Sequence, residues 1–143
     1  VNQGVVGKAG TTATIADFEA GKLTIGVQRS CSADQWMQEE FGQEKYDQMV
    51  KDGKIKLFDS FPQSMVALEQ GLVECVLFDD VNIETYIKGN DAFQMIGVIE
   101  TGEVYAVAMR NEDTDLHALI NEGLAELMAS EKWEELKLKY IVE

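Results

Sequence analysis

Residues 73–78, Val73-Glu74-Cys75-Val76-Leu77-Phe78, are apolar at every position but one and run straight into Asp79-Asp80. A strand apolar on both faces has to be covered on both, so the run reads as a central strand with helices above and below it. The surrounding pattern agrees. Leu23, Ile25 and Val27 alternate in a strand at 23–27, residues 55–58 form another, and Val5 and Val6 belong to a short one near the start. Residues 93–99 and 104–109 read as two more, separated by Glu100-Thr101-Gly102-Glu103 as a turn or crossover.

Helix-period stretches lie between these strands. One covers 14–19 and is stopped by Gly21; the next covers 32–50 through Trp36, Met37, Phe41, Tyr46 and Met49, with Gly42 as an interruption. Ser60-Phe61-Pro62 opens a helix with proline at its first position, which ends at Gly71, and Ile83, Tyr86 and Ile87 mark a short one ending at Gly89-Asn90. The last third carries a stripe of Leu116, Leu119, Ile120, Leu124, Leu127 and Met128, followed by a second helix with Trp133, Leu136 and Tyr140. The expected fold class is therefore α/β: a mostly parallel central sheet of about five strands with helices on both faces. The expected division is an α/β domain at 1–110 and a helical pair at 111–143 that packs on it or on a partner chain.

At 143 residues and 45% hydrophobic, the chain has enough for one core and too little for two full domains. Twenty-six acidic against 12 basic residues give a net charge of -14. That charge repels phosphate backbones and anionic headgroups, so nucleic acid and membrane surfaces are not expected partners. Otherwise it describes a solvated surface. The sequence has no apolar run of the roughly 20 residues a membrane span needs, and no basic segment leading into an apolar one at its start. A soluble chain is expected, compatible with the mature or excised part of an exported protein. Cys31 and Cys75 make no disulfide framework, since parallel strands would put them at opposite ends, and neither has a neighbour at metal-ligand spacing. His117, in a helical stretch, reads as a surface residue. No metal and no cofactor are expected.

The chemistry concentrates in residues 23–34, Leu23-Thr24-Ile25-Gly26-Val27-Gln28-Arg29-Ser30-Cys31-Ser32-Ala33-Asp34. They read as a strand, a tight turn and a helix start, with Ser32 and Gln35 spaced as a capping box. Free N–H groups and the positive end of a helix dipole there suit a carboxylate. In an open α/β sheet, ligands collect beyond the carboxyl ends of the strands. Ser30, Cys31 and Ser32 follow one strand and Asp79 follows a neighbour, so hydroxyls, amides and a carboxylate would share one rim. Such a rim suits a zwitterion, its α-carboxylate at the helix start and its α-ammonium on Asp79. The same side chains serve equally as plain helix caps, and Asp80 competes with Asp79 for either role. Cys31 reads as passive pocket lining, because no basic partner is evident.

Several segments resemble one family, the type II periplasmic solute-binding proteins that deliver polar amino acids to ABC transporters. Ala16-Asp17-Phe18-Glu19-Ala20-Gly21-Lys22-Leu23-Thr24-Ile25-Gly26-Val27-Gln28 resembles the family's Asp-Leu-x-Gly-Lys-x-Val-Gly-Val-Gln stretch with one extra residue, and Ser30-Cys31-Ser32 stands where Gly-Thr-Thr is usual. Residues 65–79, ending Gly71-Leu72-Val73-Glu74-Cys75-Val76-Leu77-Phe78-Asp79, resemble Ala-Leu-x-x-Gly-x-Val-Asp-Ala-Val-x-x-Asp. Val104-Tyr105-Ala106-Val107-Ala108-Met109-Arg110 resembles the Tyr-Gly-Ile-Ala-Val-Arg strand, and residues 116–140 resemble the closing helices.

The resemblance implies a small-molecule ligand, a polar amino acid, with Ser30, Cys31 and Ser32 at its carboxylate and Asp79 at its amino group. It implies an extracytoplasmic location, an ABC transporter permease as partner of the full binding protein, and no catalysis. It covers the second lobe and the closing helices, leaving out most of the first lobe with its carboxylate-pairing arginine and its aromatic sandwich. Half a cleft would bind weakly or not at all, and the helical stripe would seek another surface, for instance in a homodimer. The ligand-sensing domain of a receptor would use the same fold. A small dehydratase-like enzyme ranks lower, since Asp79 and Asp80 lack a second positioned acid or base. A phosphoacceptor domain ranks lowest.

Overall fold

The computed structural model describes residues 1–141. It divides into two units, Val1–Glu103 and Val104–Glu143. The first holds β1 (Gln3–Lys8), α1 (Ile15–Glu19), β2 (Ile25–Gln28), α2 (Ser32–Phe41), α3 (Gln43–Lys51), β3 (Ile55–Phe58), α4 (Phe61–Glu69), β4 (Cys75–Asp79), α5 (Asp80–Ile87) and β5 (Phe93–Ile99). The second holds α6 (Thr114–Met128) and α7 (Glu131–Tyr140).

The strands form one five-stranded sheet in the order β3-β2-β4-β1-β5. β2 is parallel to both β3 and β4, while β1 is antiparallel to β4 and to β5. Every strand but β1 therefore points the same way, and the α/β architecture with a parallel centre is as the sequence patterns indicate. β1 enters between β4 and β5, far in sequence from both, and makes the sheet mixed.

Side chains alternate across this sheet into two cores. Val5, Ile25, Val27, Cys75 and Leu77 face one side, where Phe18 of α1, Ala33 and Met37 of α2 and Tyr46 and Met49 of α3 meet them. Val6, Val76 and Phe93 face the other, against Phe61, Met65 and Leu68 of α4 and Ile83 of α5. The apolar run in β4 is thus buried from both sides, as a central strand requires. At Gly26 an added Cβ would meet Val73 Cγ2 at 3.2 Å and Phe58 Cε2 at 3.3 Å, so its bare backbone lets the second core close on β2.

Three local expectations are corrected. The helix expected across 32–50 is two helices, because Gly42 adopts φ 76° and ψ 146°, a conformation open to glycine and closed to helix propagation. Pro62 occupies the second helical position rather than the first, with Ser60 as the N-cap residue. The strand expected at 104–109 does not form: Val104, Tyr105 and Val107 are exposed, and none of the five strands of the sheet lies there. Alternating apolar residues become a strand only where a neighbour takes up their backbone N–H and C=O groups. Among the described residues no helix is long and apolar enough to cross a membrane.

Candidate functional site

β2 and β4 lie side by side and parallel, so their carboxyl ends share one rim. β1 runs antiparallel along the other edge of β4 with Gln3 opposite Asp79, which brings the beginning of β1 to the same place. Ser30, Cys31, Ser32 and Asp79 therefore converge from two strand ends, with Gln3 joining them from a third.

The turn after β2 is shaped by Asp34. This residue is only 4% exposed; its Oδ2 accepts the Ser30 N–H at 2.7 Å, and its Oδ1 accepts the hydroxyl of Tyr46 from α3. Burial, and then the bond to Asp34, push the Tyr46 phenol well above its ordinary range, so its proton stays on the donor side of that contact. Ser30 takes φ 59°, the one positive φ at a residue other than glycine among the described residues. That backbone accounts for the glycine usual in the family pattern at this place.

The capping box expected from Ser32 and Gln35 is absent, because the helix begins one residue earlier than that box requires. Cys31 is the N-cap residue and Ser32 already belongs to the first turn. Cys31 Sγ donates to Gln28 O at 3.0 Å, and burial raises its thiol pKa against the pull of the Ala33 and Asp34 amides. A raised thiol is a poor nucleophile. Ser32 Oγ instead accepts from Gln3 Nε2 at 3.2 Å.

The two adjacent aspartates separate in role. Asp80 Oδ1 accepts from the amides of Asn2 (3.2 Å) and Val81 (2.8 Å), which ties it to β1 and to its own helix start. Asp79 turns toward the rim, its Oδ1 accepting from Gln3 Nε2 at 3.4 Å and its Oδ2 from Asn82 Nδ2 at 3.3 Å. Asn2 Oδ1 also accepts from the amides of Thr101 (3.2 Å) and Gly102 (3.4 Å), holding the turn after β5 against the start of β1. Glu103 is thereby brought to Gln3, whose Nε2 lies 3.1 Å and 3.2 Å from its two carboxylate oxygens.

Gln3, Asp34 and Glu103 are the residues that sequence reasoning missed. Asp34 carried a signal, an acid three positions after the true N-cap. Gln3 and Glu103 carried none, since only the antiparallel entry of β1 places them at this rim. Among the described residues, no group of three or more His, Cys, Asp or Glu side chains is arranged to hold a metal ion.

No protein-family model matches the chain. An L-cystine-binding protein from Escherichia coli K12 is 24% identical over 135 residues, covering 89% of this chain and 47% of its own length. A probable histidine-binding protein from Neisseria gonorrhoeae is 30% identical over 90 residues, covering 61% of this chain and 34% of its own length. Both relatives are named for an amino acid that they bind. The fold matches as well: an ancestral arginine-binding protein bound to glutamine superposes with a TM-score of 0.78 at 24% identity, over 99% of this chain and 60% of that one. The chain thus spans about half the length of the L-cystine-binding protein.

Proposed function

We propose that this chain is a solute-binding lobe that recognises a small zwitterion, a polar amino acid, through Ser30, Cys31, Ser32 and Asp79. The observation that carries the reading is Gln3: one buried amide gathers Ser32 and Asp79, residues from two different strand ends, into hydrogen-bond reach of the same nitrogen. A ligand carboxylate would lie over the start of α2, where the first-turn N–H groups have no intrahelical partner and the dipole is positive. Asp79, across the rim, would accept from the α-ammonium. Relatives named for binding cystine and histidine support amino acids as the class.

By the same kinship the full protein would act outside the cytoplasm, delivering its ligand to an ABC transporter permease. The test is a titration of the chain with L-glutamine, L-arginine, L-lysine and L-histidine, followed by backbone amide NMR. Shifts clustered at 30–34 and at Asp79, lost in Asp79→Asn, are expected for one or more of them. A folded spectrum that stays unmoved across the panel would sink the proposal for this half of the cleft.

A further inference from the structure

Asp34 is an acid standing where the packing calls for none. The other buried residues of α2 are Ala33 and Met37, both apolar members of the core, and Asp34 between them is 4% exposed. None of the ion pairs among the described residues includes it. A carboxylate buried without a cation is costly unless hydrogen bonds hold it. Two bonds do so here: Oδ2 accepts the Ser30 N–H at 2.7 Å, and Oδ1 accepts the Tyr46 hydroxyl. Tyr46 is itself buried in the same core, so its hydroxyl is delivered from a packed ring. At the other end stands Ser30, exposed and at φ 59°. Its side chain disfavours that backbone. The bond to Asp34 is the Ser30 amide's one hydrogen bond among the described residues, and a charged acceptor makes it a strong one.

We infer that Asp34 and Tyr46 are positioning residues for the ligand: Tyr46 steadies the Asp34 carboxylate, and Asp34 fixes Ser30 in its left-handed turn, which keeps Ser32 and the first amides of α2 at the rim. The inference rests on the amino-acid reading above and adds to it two residues that touch no ligand. Without the hold, Ser30 relaxes to an ordinary backbone in a share of the molecules, and affinity falls in proportion to the share that keeps the turn. Glycine adopts a left-handed backbone freely, so at position 30 it makes the hold dispensable. A pair that served only to pack α2 against α3 would act the same whatever stood at position 30.

The experiment uses that difference. Wild type, Tyr46→Phe, Ser30→Gly and the double variant are each titrated with L-arginine, L-glutamine, L-histidine and L-cystine by calorimetry. Tyr46→Phe keeps the ring and every charge; it is expected to weaken the tightest of these at least about fivefold in the wild-type background and less than twofold in the Ser30→Gly background. If an amino acid binds and the loss is smaller than that, or equal in the two backgrounds, the positioning role is overturned and the amino-acid reading survives. Should Tyr46→Phe not fold, Asp34→Asn, which keeps the shape and weakens the acceptor, takes its place in the same comparison. If no amino acid binds, the amino-acid reading falls, and the hold is read from hydrogen exchange of the Ser30 amide, with Val27 in β2 as reference. Exchange at Ser30 that quickens about tenfold over Val27 in Tyr46→Phe would uphold the hold on the turn without that ligand; an unchanged ratio would discard both.

Discussion

At Ser30 the chain accepts a left-handed backbone that a side chain disfavours, held there by the Asp34 carboxylate on its amide. Ser30→Gly keeps that amide and removes the conflict, so it is expected to stabilise the protein by about 1 kcal/mol in urea denaturation. Tyr46→Phe does the opposite. It strips the donor from a carboxylate that is 4% exposed, with an expected cost of about 2 kcal/mol by the same measurement. Titration adds a third expectation. Burial pushes the Cys75 thiol from 9.0 up to about 12, above its unfolded value, so its stabilising contribution is complete below pH 9 and is lost as pH rises toward 12. Stability should fall on that alkaline limb, more gently in Cys75→Ala. A thiol reagent at neutral pH should reach half-buried Cys31 first and Cys75 only on unfolding.

Among the elements, β1 decides most. It is the one strand that runs against the others, and two of its glycines sit where helices and loops press on the sheet. A Cβ at Gly4 would stand 3.1 Å from the Asp80 backbone Cα and 3.0 Å from Ile83 Cδ1, whereas at Gly7 it would meet the Ile96 and Thr11 side-chain ends at 2.9 Å. Side-chain ends can move and backbone cannot, so Gly4→Ala should cost about 2 kcal/mol and Gly7→Ala nearer 1 kcal/mol, read as urea midpoints. Gly4→Ala should also disturb Asp79, the next residue back from Asp80. The strands β2, β3, β4 and β5 and their helices were legible because alternation, glycine stops and an apolar central run each point to one structure. Ser32 misled because spacing alone does not say which residue of Ser30-Cys31-Ser32 leaves the helix. Residues 104–109 misled because periodicity reports a pattern and not a partner.

For the molecule as a whole, the two units differ in how much they bury. β1, β2 and β4 are lined by fully buried residues, whereas α6 and α7 have no buried residue and α6 exposes Leu116, Leu119, Leu124 and Met128. Helices of that length are marginal without packing. Amide hydrogen exchange in α6 and α7 should therefore run at least about a hundredfold faster than in β4. We propose that this exposed stripe joins chains: scattering at rising concentration is then expected to show association, and a monomer at every concentration would remove that expectation. Sequence alone determined the α/β class, the strands β2 to β5, and the two strand ends that carry Ser30 to Ser32 and Asp79, since each rests on local periodicity and end signals. Tertiary structure decided the rest. Only the pairing of β1 against β4 brings Gln3 opposite Asp79, and only the turn held by Asn2 brings Glu103 to Gln3. Contacts between residues a hundred positions apart leave no local pattern for a sequence to display.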